Sequence, residues 1–349
     1  MIKTILLFLT LLTLHACADD THNQQTNNTT PQGAPMVKTR AEIFGEKPIY
    51  KIRIRAQKAY VIAKINGVTI YENFSGERAF TLETVNSLIT SHDNTMSLSL
   101  LVLENEKIPS DAGGCATLEV FSKGKHYVLN RVCIDMSQKE KTIDSTPAHE
   151  YSYDAKKGLV RDIKGKIEVG ETILKPETMY QTDKVNGIKA IQSFSLPTPF
   201  PRWKFLDSQE IIDSNYDYLS KEAYKALKKS PKIQALYALD KKIRDALKAK
   251  VPEKIIDLFQ ERFEEDAHAY YDTPQSLKQG QLEFFLRDVN DPDNELVEWK
   301  GDELYFVIEE NRKLAFLRKI QFYNKKTKLY SGYPIKYRLN KQGEWVITK

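Results

Sequence analysis

The chain has 349 residues, 41% hydrophobic and 28% charged, a globular balance that excludes a chain disordered or membrane-embedded throughout. Its length allows two domains of ordinary size. The formal net charge of +5 is mild, and acidic and basic residues alternate with no concentrated basic face, which argues against a nucleic-acid partner.

The N-terminus carries the most informative pattern. Met1-Ile2-Lys3 gives a short positive start, and Ile5 to Leu14 is apolar. That stretch fits the core of a signal peptide and is too short for a bilayer span, which needs about 20 apolar residues. Leu14-His15-Ala16-Cys17 follows at once and resembles the lipobox of bacterial lipoproteins. Leu14, Ala16 and Cys17 match it, while His15 departs from the small or β-branched residue usual there. The resemblance implies removal of residues 1–16, acylation of Cys17 and a body held on a membrane, facing the periplasm. With diacylglycerol on the thiol, a third chain on the new amino terminus would make such an anchor stable, since one acyl chain alone binds marginally. Ala18 stands where an Asp resembles an inner-membrane retention signal, so the outer membrane is favoured. The alternative is a signal peptide that happens to contain a Cys.

Residues 17–48 form the next unit. From Ala18 to Pro48 the sequence is rich in Asn, Gln, Thr, Asp and Pro and cannot bury enough apolar surface to fold alone. It is read as a flexible tether.

Residues 49–206 read as a β domain. Tyr50 to Arg55 alternates with period two. Tyr60–Ile65 and Val68–Tyr71 flank Asn66-Gly67, the signature of a hairpin with a type I′ turn. Val185-Asn186-Gly187-Ile188 repeats that signature and predicts a second turn between two alternating runs. Ile65-Asn66-Gly67-Val68 with Val85 to Leu103, including His92-Asp93-Asn94, resembles jelly-roll β-sandwiches of the carbohydrate-binding type, with Asp93 where those folds often have Gly. The resemblance spans about 50 residues; it implies a sandwich and transfers no sugar site.

Cysteine arithmetic supports an oxidising compartment. The lipobox uses one Cys of three, leaving Cys115 and Cys133 on either side of a hairpin-like stretch. A turn at Lys123-Gly124-Lys125 sets them opposite each other, and a disulfide there closes a loop worth on the order of 3 kcal/mol. A redox pair is the alternative, though such pairs usually sit closer, as Cys-x-x-Cys.

Leu196 to Trp203 holds three Pro and reads as a connector. Phe200, Arg202 and Trp203 are candidate partner-binding anchors, because Trp and Arg dominate interface hot spots. The competing reading has the aromatics packing on the domain they leave.

Residues 207–349 read as helices followed by an antiparallel sheet. Tyr216, Leu219, Ala223 and Leu227 predict one helical face, ended by Ser230-Pro231. Ile233, Leu236, Leu239, Ile243 and Leu247 predict a second. Ile255, Phe259, Phe263, Ala267 and Tyr270 predict a third, entered at Pro252. Thr273-Pro274 starts a fourth with Leu277, Phe284 and Phe285. Strand-like runs then cover Leu304–Ile308, Leu314–Tyr323, Leu329–Leu339 and Trp345–Ile347, with turns at 300–302, 324–326 and 340–343. This order, ending Gly343-Glu344-Trp345-Val346-Ile347, resembles the nuclear-transport-factor-2-like group of α+β cones, which hosts both enzymes and inert binding modules. The fold class expected is α+β, multidomain.

Chemistry is harder to find. His-Glu-x-x-His, Gly-x-Ser-x-Gly, a Walker loop and Gly-x-Gly-x-x-Gly are absent. Glu264-Glu265-Asp266-Ala267-His268, with Asp272 beyond, is the nearest to a ligand set, because Glu265 and His268 sit three apart on a helix as in half of a di-iron site. No second Glu-x-x-His exists, and solvated helix faces carry such residues by default. His126 and His149 are isolated. The basic runs at Lys221-Lys228-Lys229, Lys241-Lys242 and Lys325-Lys326-Lys328 read as solvated, with anionic headgroups or an acidic partner as the functional alternative. No catalytic residue, metal ligand or cofactor is assigned.

The expectation is a membrane-tethered, non-enzymatic protein-binding module, in one form an immunity lipoprotein against a periplasm-directed toxin. Two alternatives stand beside it: a carbohydrate- or envelope-polymer-binding lipoprotein using the sandwich, and an enzyme using a pocket in the C-terminal half.

Overall fold

The structure, a computed structural model, describes residues 47–122, 125–138, 142–143, 152–154, 159–161, 168–180, 184–196, 198–213, 221–298, 306–317 and 320–349. Cys17, His149, Tyr216 and Leu219 lie outside the described residues.

The first half is built of antiparallel strands: β1 (Ile49–Gln57), β2 (Tyr60–Ile65), β3 (Val68–Asn73), β4 (Ala79–Thr84), β5 (Asn94–Leu103), β6 (Gly113–Ser122) and β7 (Lys125–Asp135). They are followed by β8 (Thr142–Ile143), β9 (Ser152–Asp154), β10 (Leu159–Arg161), β11 (Glu168–Tyr180) and β12 (Lys184–Ser195). One sheet has the order β4-β1-β6-β7-β8 and a second β11-β12-β5-β2-β3, while β9 and β10 pair with each other. The alternation seen in the sequence decides which face is buried. Tyr50, Ile52 and Ile54 of β1 and Leu118 and Val120 of β6 point inward from the first sheet. Val61, Ala63, Ile65, Met96, Leu98, Leu100 and Ala190 meet them from the second, in one continuous cluster. Full burial of each large aliphatic side chain is worth about 1.5–3 kcal/mol.

Local signals set two corners of this sandwich. Asn66 and Gly67 turn β2 into β3 with φ of 51° and 71°, as a type I′ turn requires. The Asn66 Oδ1 accepts from Thr95 N at 2.7 Å and its Nδ2 donates to the Leu88 carbonyl at 2.7 Å. Asp93 also takes a positive φ, 57°, ahead of β5. The second Asn-Gly is a correction: Asn186 and Gly187 lie inside β12, paired on one side with β5 and on the other with β11. A Cβ on Gly187 would come within 1.9 Å of the Leu100 carbonyl oxygen, so this glycine serves close strand approach and makes no turn.

The second half holds α1 (Lys221–Lys228), α2 (Pro231–Lys248), α3 (Gln260–Tyr270) and α4 (Pro274–Asn290) among its described residues. Ser230 and Thr273 cap α2 and α4 through their hydroxyls, each with Pro at the first helical position. The third helix starts later than predicted: 3-10 turns at Pro252–Lys254 and Ile256–Phe259 precede it. The predicted face holds at Ile255, Phe259, Phe263 and Ala267, all buried, and departs only where the helix ends. Tyr270 is 39% exposed, and Tyr271, left-handed at φ 59°, turns inward in its place. In α4 Phe285 is buried and Phe284 is exposed.

The helices pack on β13 (Asn294–Leu296), β14 (Phe306–Ile308), β15 (Leu314–Leu317), β16 (Ile320–Asn324), β17 (Tyr330–Tyr333), β18 (Lys336–Leu339) and β19 (Trp345–Ile347). These form two antiparallel sheets, β13-β16-β17 and β14-β15-β18-β19. Ile233, Leu236, Ile243, Phe259 and Phe285 from the helices share a second cluster with Leu317, Phe322, Tyr337 and Ile347 from the sheets. The fold class is α+β. Among the described residues no helix is long and apolar enough to cross a membrane.

Candidate functional site

Cys115 and Cys133 lie directly opposite each other in β6 and β7 and form a disulfide, closing a sequence separation of 18 residues. The connector residues divide. Phe200 and Trp203 are 6% and 1% exposed and belong to the sandwich cluster. The Trp203 Nε1 donates to the Ile89 carbonyl at 2.8 Å. Only Arg202 stands at the surface, paired with Asp207 at 2.8 Å. Of the three, Arg202 alone is accessible from outside, while the two aromatics are used internally.

The acidic run on α3 divides in the same way. Glu265 points inward, 5% exposed, and His268 points out. One Glu265 oxygen accepts from the Lys204 backbone N–H at 2.7 Å; the other accepts from Thr348 Oγ1 at 2.9 Å and lies 3.2 Å from Lys349 Nζ. This carboxylate fastens the connector and the last strand to α3. Among the described residues no cluster of His, Cys, Asp and Glu has metal-holding geometry. The described basic-run side chains are surface groups; Lys241 pairs with Asp245 at 2.6 Å and Lys325 with Glu295 at 3.1 Å.

Among the described residues, buried charge gathers at one further place. It lies where the turn Glu309-Glu310-Asn311, between β14 and β15, meets the outward side of the second sandwich sheet. Lys189 of β12 is 2% exposed and pairs with Glu310, and with Glu177 of β11 at 3.4 Å. Lys64 of β2 reaches the same Glu310 oxygen at 3.1 Å. Glu309, 2% exposed, accepts from Thr69 N at 3.0 Å and Thr69 Oγ1 at 2.8 Å and pairs with Lys336. The Asn311 Nδ2 donates to the Asn66 carbonyl at 3.2 Å, and a Cβ on Gly67 would come within 2.8 Å of Asn311 N. Burial works against the Lys64 ammonium, but Glu310, Glu177 and Glu309 outweigh it and raise its pKa. Burial likewise opposes ionisation of Glu310, and Lys64 and Lys189 outweigh it, leaving that carboxyl below its ordinary value. One sequence signal existed: Lys64 and Lys189 interrupt otherwise apolar strand runs.

A second joint is built of neutral groups. The Asn86 Oδ1 accepts from Tyr50 N at 2.7 Å, and its Nδ2 donates to the Ala269 carbonyl at 2.7 Å. The Tyr271 ring stacks on Phe200, centroids 6.1 Å apart.

Inside the C-terminal half two carboxylates are held by aromatic hydroxyls. Asp240 pairs with Arg244 at 2.6 Å and accepts from Tyr337 Oη at 3.3 Å; burial nonetheless raises its pKa. Asp288 accepts from Tyr333 Oη at 2.5 Å and Ser331 Oγ at 3.1 Å. Burial, together with Asp288, pushes the Tyr333 hydroxyl far above its ordinary value, so it stays a donor. An open depression of about 470 Å³ has Ile211, Ile212 and Leu227 as its floor and Glu210, Asp213 and Lys232 at its rim. The Lys232 ammonium is tied to the Ile211 carbonyl at 2.9 Å.

The outward face of the first sheet carries Arg53 and Arg55 beside Phe80, which is 59% exposed. Their guanidinium carbons lie 5.7 and 5.6 Å from its ring centroid. Neighbouring Lys51 lies over Phe121 at 5.3 Å.

No family model, no curated protein and no solved structure matches the chain.

Proposed function

We propose that the chain is a bacterial envelope lipoprotein, anchored through acylated Cys17, that works by holding a protein partner near a membrane and not by catalysis. One concrete form is an immunity lipoprotein that neutralises a periplasm-directed toxin. The observation that supports this reading most is the use to which buried charge is put. Lys64, Lys189, Glu309 and Glu310 join the second sandwich sheet to the C-terminal turn, and Glu265 joins α3 to the connector and the last strand. Groups so fixed give a rigid scaffold, and a rigid surface binds with less entropy lost on association. The Cys115–Cys133 disulfide supports an oxidising compartment.

The strand orders β4-β1-β6-β7 and β3-β2-β5-β12, with the chain changing sheet at β1–β2, β3–β4, β4–β5 and β5–β6, support the jelly-roll likeness of the sandwich. Helices followed by β13 to β19 support the likeness of the second half to the nuclear-transport-factor-2-like group.

The test is cross-linking in intact cells that express the chain with its own N-terminus, followed by purification from the envelope fraction. The expected result is one protein recovered in stoichiometric amount and lost when Cys17→Ser releases the body. Recovery of no partner from either form contradicts the reading.

A further inference from the structure

We infer that the outward face of the first sandwich sheet rests on a membrane surface and binds anionic lipid headgroups. This goes beyond the binding role proposed above; of the observations below, only the place of Cys17 in the chain rests on that reading.

The strand register sets the face. Arg55 of β1 stands opposite Phe80 of β4, Arg53 opposite Leu82, and Ile49 opposite Phe121 of β6. Arg131 of β7 lies in the row of Arg53, two strands away, across Thr117. Neighbouring strands are about 4.8 Å apart and alternate residues about 6.8 Å along each strand. Lys51, Arg53, Arg55 and Arg131 are thus spread over a patch roughly 10 by 14 Å. The acid among them is Glu119, 2% exposed, which grips Arg53 through both oxygens at 2.6 and 3.0 Å. Asp135, at the far end of β7, is a second acid of this face, and its hydrogen bonds from Ser137 keep it charged. Among the described residues no ion pair engages Lys51, Arg55 or Arg131, which leaves them to meet an external anion.

Three observations select a lipid surface. First, the cations alternate with exposed apolar groups: Phe80 is 59% exposed and Ile49 41%. That mixture suits an interface where rings and methyl groups enter the acyl boundary while guanidinium groups stay with the phosphates. Second, the two guanidinium groups over the Phe80 ring occupy the aromatic surface on which a sugar would stack. Third, residues 1–46 lead into β1 through Lys47 and Pro48, so the strand bearing Lys51, Arg53 and Arg55 is the part of the body nearest in the chain to Cys17. With this face down, the C-terminal half remains available to a partner.

The test is co-sedimentation of the full chain with phosphatidylcholine vesicles and with vesicles containing one-third phosphatidylglycerol. The apolar stretch Ile5–Leu14 contributes equally to every variant, so differences between variants report on the face. We expect tighter binding to the anionic vesicles, weakened by salt. The double variant Arg55→Gln, Arg131→Gln should lose about fivefold per cation removed, about 25-fold in all. The control is Lys241→Gln, Lys248→Gln on α2, which removes the same charge elsewhere, and it should bind as the parent does. Matching thermal melts establish that each variant is folded. Equal binding to neutral and anionic vesicles, or equal losses in the two double variants, overturns the inference.

Discussion

The hydroxyl of Tyr271 donates to the carbonyl of Pro48 at 2.7 Å, tying the residue that ends α3 to the start of the sandwich. The bond spans 223 residues of sequence. Any pull arriving along the N-terminal chain therefore meets the C-terminal helices as well as β1. Tyr271→Phe keeps the ring on Phe200 and removes only the donor. A buried carbonyl left without its partner costs about 1–3 kcal/mol. Urea unfolding should show that loss with an unchanged slope, and an unchanged midpoint contradicts it.

The Lys189–Glu310–Lys64 joint makes a second prediction. A buried charge left wholly unpaired costs about 3–5 kcal/mol. Lys189→Ala leaves Lys64 facing Glu310 and takes the ammonium from Glu177, so its loss should lie below that figure and above that of an exposed pair. Lys241→Ala, which breaks the exposed Lys241–Asp245 pair, should cost less than about 1 kcal/mol. Similar melting shifts for the two variants contradict the assignment.

The same joint has a pH window. Glu310 has a lowered pKa in the folded chain, so its contribution is present above the ordinary carboxylate value of 4.5 and is lost as pH falls through the lowered value. Lys64 has a raised pKa, so its contribution is present below 10.5 and is lost as pH rises through the raised value. The parent should lose stability at both extremes. Glu310→Gln should flatten the acid limb when stability is followed by denaturant titration across pH. An acid limb as steep in Glu310→Gln as in the parent contradicts this.

Two glycines give opposite expectations for one substitution. Gly187→Ala would drive a methyl into the Leu100 carbonyl and should prevent native pairing of β5 with β12, seen as loss of the cooperative melt. At Gly280, in α4, a Cβ meets nothing within 4 Å, so Ala should stabilise by roughly 0.5–1 kcal/mol through helix propensity. A folded, unshifted Gly187→Ala contradicts the close approach.

Reduction or the double variant Cys115→Ala, Cys133→Ala should lower stability by about 3 kcal/mol, since the bond closes a loop of moderate length in the unfolded chain. An unchanged melt under reductant means that the bond does not constrain the unfolded chain.

What the sequence made legible was local. The period-two run Tyr50–Arg55 and the turn at Asn66-Gly67 are set by neighbouring residues, and both stand in the structure. Asn186-Gly187 is the same dipeptide but makes no turn, because its place is fixed by β5, more than 80 residues earlier. The third face holds at Ile255, Phe259, Phe263 and Ala267, all buried, and fails only at Tyr270, because the helix ends there and the left-handed Tyr271 turns its ring inward instead. The Lys64–Glu310 and Lys189–Glu310 pairs bridge 246 and 121 residues, a proximity that no spacing rule reports. The basic face of the first sheet escaped notice for a related reason. Lys51, Arg53 and Arg55 are legible as one side of β1, but Phe80 and Arg131 join them only through strand pairing.

Tethering of the body turns on the chemistry of one sulfur, which intact-mass and peptide mass spectrometry of the chain purified from a bacterial envelope would read. Loss of residues 1–16 and a first residue, Cys17, carrying a diacylglyceryl group are the expected result. A chain that keeps Met1 with an unmodified Cys17 contradicts it.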